Sequence, residues 1–173
     1  MIQAFPDLYQ VALLRGQRAK LGLAETPAAD KGVDTALAND WLALLQAQQV
    51  DFTLGWRRLA DAAAGDETAL AALFADPAPL QEWLARWRER CAQEGAVAPQ
   101  ARAEHMRRAS PWIIPRNHRV EEALQAATRG DMAPFERLLA ALRDPWRELP
   151  EHAAYAEPAP AAVTACYRTF CGT

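Results

Sequence analysis

Leu80-Gln81-Glu82-Trp83-Leu84-Ala85-Arg86-Trp87-Arg88-Glu89-Arg90-Cys91 decides the fold class of this chain. Leu80, Trp83, Leu84, Trp87 and Cys91 recur at three- and four-residue intervals, the spacing that gathers side chains on one face of an α-helix. Cys91 closes that stripe and so reads as a core residue rather than a reactive thiol.

Working upstream, Gly65-Asp66 reads as the end of one helix and the cap of the next, whose Leu70, Leu73 and Phe74 point inward until Pro77 and Pro79 break it. Phe52, Trp56 and Leu59 mark a helix that Asp51 caps, and Leu37, Trp41, Leu44 and Leu45 mark another. Residues 24–34, with Pro27, Gly32 and alanines among charges, read as an exposed loop. Phe5, Leu8, Tyr9, Ala12 and Leu13 share a stripe on a first helix that stops near Gly22, with Leu23 packing back onto it.

Downstream, a break from Gly95 to Pro99 precedes a polar, arginine-bearing helix over 100–109. Val120, Ala123, Leu124 and Ala127 form an amphipathic helix, Asp131 caps the next, and Phe135, Leu138, Leu139 and Leu142 supply its buried face. Beyond Asp144, Pro145, Pro150, Pro158 and Pro160 forbid long helices, so the tail is expected to run extended. No β-type alternation occurs. The expectation is an all-α fold: an irregular multi-helix domain over 1–173 with a proline-rich extended C-terminal tail.

Composition bounds the function. The chain has 173 residues, 51% of them hydrophobic, enough for one core, and no apolar run near the roughly 20 residues that cross a bilayer. Met1 to Asp7 lacks the pattern of a secretory signal, which makes a reducing cytoplasm the default compartment. Three cysteines suggest no disulfide framework, and a net charge of −3 gives no general attraction to nucleic acid.

Two segments hold the chemistry. In Met106-Arg107-Arg108-Ala109-Ser110-Pro111-Trp112-Ile113-Ile114-Pro115-Arg116-Asn117-His118-Arg119-Val120-Glu121, prolines force Ser110 and Ile114 into extended backbone. The stretch is a pinned crossover between Pro111 and Pro115. Its Trp-Ile-Ile should be buried, with Arg116 and Asn117 placed to hydrogen-bond nearby backbone and His118 packing in the loop. The second segment is the tail Tyr167-Arg168-Thr169-Phe170-Cys171-Gly172-Thr173, where a thiol on a chain end points to redox chemistry or docking. Cys166 is the nearest other thiol, five residues away.

A nucleotide or metal site is not expected. Glycines never stand fewer than six apart, and the two lysines, Lys20 and Lys31, follow no glycine-rich turn. Asp51-Phe52-Thr53 imitates a metal-binding Asp-Phe-Gly triplet but reads as a helix start. His105, His118 and His152 are too scattered for a helical metal motif. Arg102, Arg107, Arg108, Arg116 and Arg119 are interleaved with Glu104, Glu121 and Glu122, which suits a solvated helix surface or contact with another domain rather than nucleic acid.

Ile114-Pro115-Arg116-Asn117-His118, Gly130-Asp131-Met132-Ala133-Pro134-Phe135 and the closing Phe170-Cys171-Gly172-Thr173 together resemble the C-terminal end of the selenoprotein O family. Lys20-Leu21-Gly22-Leu23 and Val50-Asp51-Phe52-Thr53-Leu54-Gly55-Trp56-Arg57-Arg58-Leu59 resemble two further blocks of that family. The resemblance implies pseudokinases that transfer AMP from ATP to Ser, Thr or Tyr hydroxyls of proteins, some with selenocysteine at the position that Cys171 matches. Two departures stand out: Arg168 replaces the first cysteine of the Cys-x-x-Sec pattern, and Ser110 replaces the asparagine usual before that proline.

The resemblance further implies that this chain is a C-terminal helical domain whose kinase-like core is missing. That core would be its partner, and ATP, Mg or Mn and protein substrates would belong to the full-length enzyme, with no cofactor bound by this chain. Two other readings remain open. One is a free-standing helical interaction module; the other treats Cys166 and Cys171 as an independent thiol pair.

Overall fold

A computed structural model describes residues 5–24 and 31–166, and every element among them is helical. The chain divides into two compact units between Pro111 and Trp112. The first contains α1 (Phe5–Leu21), α2 (Lys31–Ala47), α3 (Phe52–Ala63), α4 (Thr68–Ala71), α5 (Pro77–Ala92) and α6 (Pro99–Ala109). The second contains α7 (Asn117–Thr128), α8 (Ala133–Arg143), a 3-10 turn (Pro150–His152), α9 (Ala153–Ala156) and α10 (Ala161–Cys166).

The α5 stripe behaves as its periodicity requires. Leu80, Trp83, Leu84, Trp87 and Cys91 are all buried, and Trp83 stands 4.5 Å, ring centre to ring centre, from Trp41 of α2. Trp56 of α3 and Phe74 complete an aromatic cluster around Trp41, at 5.8 and 6.0 Å. Such rings contribute large buried area, and their polar edges need partners. Trp83 Nε1 donates to Leu37 O at 3.1 Å and Trp87 Nε1 to Leu21 O at 2.9 Å, tying α5 to the main chain of α2 and α1.

The helix ends follow local chemistry. Gly22, at φ 71°, ends α1: its N–H donates to Ala19 O, Leu23 N–H donates to Arg18 O at 2.9 Å, and Leu23 is buried. That pair of hydrogen bonds is the Schellman motif, which a left-handed glycine makes accessible. Asp51 caps α3, its Oδ1 accepting from Leu54 N at 2.9 Å, so its carboxylate serves the helix start.

Several expectations change. Lys31 to Asp34 belong to the first turn of α2 rather than to an exposed loop, and Asp34 is fully buried; residues 25–30 lie outside the described residues. Pro77 opens α5 instead of merely breaking its predecessor, because first-turn N–H groups have no helical partner and Asp76 caps the helix by accepting from Ala78 N. Phe52, Phe135 and Leu139 are exposed, whereas Leu138 and Ala141 form the buried side of α8. From 150 to 166 the chain makes short helical turns rather than an extended run, since proline is compatible with a helix start.

Candidate functional site

The crossover begins where α6 ends, and the last carbonyls of a helix have no partner within it. Two cations from other helices take them. Lys20 Nζ donates to Ala109 O at 2.8 Å and lies 3.4 Å from Ser110 Oγ, while Arg57 donates to Ser110 O at 3.1 Å and Arg107 O at 3.3 Å. Positive charge is favoured at this pole of the helix dipole. Lys20 also sits over the Trp56 ring at 5.7 Å, and burial pulls its pKa below the ordinary lysine value. Arg107 in turn reaches Asp61 at 2.7 Å, a carboxylate that Arg58 also holds.

Three segments distant in sequence therefore converge: Lys20 to Leu23, the Asp51 to Leu59 block, and Met106 to Pro111. Ser110 is extended, at φ −129° and ψ 95°, as the following proline requires, and it is buried.

Beyond Pro111 the crossover is pinned within the second unit. Trp112 and Ile113 are buried, and their N–H groups both donate to Pro145 O, at 2.8 and 3.0 Å. Arg116 donates to Ala156 O at 2.8 Å and Arg119 to Ala154 O at 3.2 Å, anchoring α9. Asn117 opens α7. His118 is half-buried and lines a groove of about 350 Å³ with Glu121, Glu122 and Glu157. Desolvation and the Arg119 charge lower its pKa, leaving the imidazole neutral at pH 7.

Sequence reasoning missed a second constellation. Buried Asp34 accepts from Arg18 Nε at 2.6 Å and from Arg90 Nε at 2.7 Å. Arg90 also approaches Glu94 at 3.5 Å, and Glu94 accepts from Arg102 at 3.3 Å and from Ala24 N at 2.9 Å. Arg102 goes on to the carbonyls of Gly22 and of Cys91, the latter at 3.2 Å. Three guanidinium groups and two carboxylates thus form one buried chain linking α1, α2, α5 and α6. Burial opposes the Arg90 charge, but Asp34 and Glu94 outweigh it and raise the Arg90 pKa. The available signal was register: Arg90 follows Trp87 by three, Arg18 precedes Leu21 by three and Arg102 precedes Met106 by four, placing each on an apolar face.

Chemically, both constellations hold helices together. Lys20 is committed to the Ala109 carbonyl and the Ser110 hydroxyl, Asp51 to its helix cap, and no group of three or more His, Cys, Asp or Glu side chains among the described residues is arranged to hold a metal ion. Neither Lys20 nor Asp51 is placed to hold a phosphate or its metal. Burial raises the Cys91 thiol pKa to about 11, which keeps it protonated and inert at neutral pH. Cys171 lies outside the described residues, and of Cys166 only the backbone, at the end of α10, is described. Among the described residues no helix is long and apolar enough to cross a membrane.

Blocks far apart in the sequence thus meet on one helix end of an all-helical assembly. A family model described as protein adenylyltransferase SelO matches residues 1–143. The chain is 53% identical over 165 residues to a Cereibacter sphaeroides protein named protein nucleotidyltransferase YdiU, covering 95% of this chain and 32% of that one. It is 49% identical over 174 residues to the protein of the same name from Chromobacterium violaceum, covering 100% and 35%. For that of Rhodopseudomonas palustris the figures are 46% over 172 residues, 98% and 34%. The chain belongs to the SelO protein adenylyltransferase family. It spans about a third of the length of the curated relatives it matches.

Proposed function

We propose that this chain is the C-terminal helical portion of a SelO-type protein adenylyltransferase, supporting a kinase-like core that lies outside it. In this reading the core binds ATP with Mg or Mn and transfers AMP to Ser, Thr or Tyr hydroxyls of protein substrates, in the cytoplasm. Family membership combined with coverage of about a third of each relative carries the reading. The commitment of Lys20 and Asp51 to helix ends supports it, since the groups that most resemble phosphate and metal ligands are already engaged. Cys171, with Cys166 nearby, would serve the enzyme as a redox handle on its tail.

The test is calorimetric. This chain, titrated with ATP and Mn²⁺, should give no binding heat and should label no protein with AMP, whereas the full-length Chromobacterium violaceum relative should do both. Stoichiometric ATP binding by the chain itself would overturn the reading. For the tail, a thiol-directed reagent at neutral pH should modify Cys171 while sparing Cys91; an unreactive Cys171 would remove the redox role.

A further inference from the structure

Helix α1 is used on both sides. At about 100° per residue, Leu14, Gln17, Arg18 and Leu21 gather on one face. Gln17, Arg18 and Leu21 are buried and Leu14 half-buried, where α1 packs on α2 and α6. Phe5, Leu8, Tyr9 and Ala12 gather about 180° away. Nothing in the described residues covers them: Phe5 is 66% exposed, Leu8 68% and Tyr9 52%, and the Phe5 and Tyr9 rings stack on each other at 6.2 Å. Between Phe5 and Leu14, Asp7 is the sole charged residue.

Such a stripe is costly in water. A contiguous apolar row on a projecting helix marks an interaction surface, and a helix end without tertiary packing is marginal. The occupant follows from chain length and position. About two-thirds of each relative has no counterpart here, and in the functional reading that portion precedes residue 1. As part of the same polypeptide it would meet this domain at a high effective concentration.

We infer that the Phe5-Leu8-Tyr9-Ala12 face of α1 is the surface on which the remaining two-thirds of a SelO-type protein docks, through a complementary apolar groove. The inference rests on the functional reading above. α1 is then sandwiched, one face on this domain and the other on the core.

The experiment co-expresses this chain with the unmatched two-thirds of the Chromobacterium violaceum relative and measures association. The pair Leu8→Lys and Tyr9→Glu preserves helix propensity and net charge; Val97→Lys, at an exposed apolar site elsewhere in the same unit, is the control. The double variant should weaken the complex at least about thirtyfold, as loss of a central apolar anchor does, and the control by less than about threefold. Circular dichroism should show both variants folded. A complex that the double variant leaves within about threefold of wild type would overturn the inference while the functional reading stands. If the wild-type chain forms a dimer that the double variant dissolves, the occupant is a second copy and the inference fails. No complex with the wild-type chain would sink both.

Discussion

The two units solve the same problem with different materials. Unit 1 buries Trp41, Trp56, Trp83 and Trp87 and threads Arg18, Asp34, Arg90 and Arg102 through the packing. Unit 2 buries Trp112 and Ile113 of the crossover with Leu138, but its helices otherwise meet through Ala123, Ala126, Ala141 and Ala156. Small residues bring helices close yet bury little apolar surface, so the carbonyl bonds of Arg116 and Arg119 weigh more in unit 2 than those of Arg57 and Arg102 do in the larger aromatic core of unit 1. Unit 1 thus has a large aromatic core with interior charge, and unit 2 a smaller core organised around its crossover.

The sharpest way to break this contrast is Asp34→Ala, which leaves two buried guanidinium groups without their carboxylate. A loss of about 3–5 kcal/mol is expected in urea denaturation, because an uncompensated buried charge costs more than the pair contributes. A loss below about 1 kcal/mol would show that the charge chain is incidental. Next, Gly22→Ala should cost about 2–3 kcal/mol. The residue is at φ 71°, and an added Cβ would stand 2.8 Å from Arg102 Cγ and from Met106 Sδ.

In unit 2, Arg116→Ala should cost about 2 kcal/mol by removing the charged bond to Ala156 O. Hydrogen exchange should accelerate over 112–166 and stay unchanged over 5–111; equal acceleration in both would erase the distinction between units. A pH-dependent effect of similar size comes from Cys91. Its thiol pKa is raised from 9.0 to about 11 by burial, so the stability it supports is complete below pH 9 and lost as pH rises through about 11. The Cys91→Ala variant should lose on the order of 2 kcal/mol less than wild type across that window, measured by denaturation at matched pH. Smallest is Asp51→Ala, expected to cost about 1 kcal/mol as a lost helix cap.

How legible each region was follows from the same contrast. The α5 stripe, the Gly22 stop, the Asp51 cap and the buried Trp112-Ile113 were readable because each depends on residues within a turn or two. The Asp34 site was not: its partners lie 16 and 56 residues away, and a charged residue among alanines and a glycine reads locally as loop. The uncovered Phe5 stripe was read correctly as apolar, but periodicity says only that a face needs burying, not by what. Phe135 misled for a related reason. On α8 the buried side is set by Leu138 and Ala141, whose register against α7 depends on a close helix approach.

The all-α class, the stop of α1 at Gly22, the start of α3 at Asp51 and the pinned crossover were fixed locally, because hydrophobic spacing, glycine and proline act over a few residues. Tertiary contacts alone settle that Lys20 and Arg57 cap one helix end, that Asp34 joins Arg18 and Arg90 in the interior, and that the Phe5 face of α1 is exposed among the described residues. Those outcomes depend on which groups meet across long separations in the chain. Charge pairing and burial are properties of that meeting, not of any single segment.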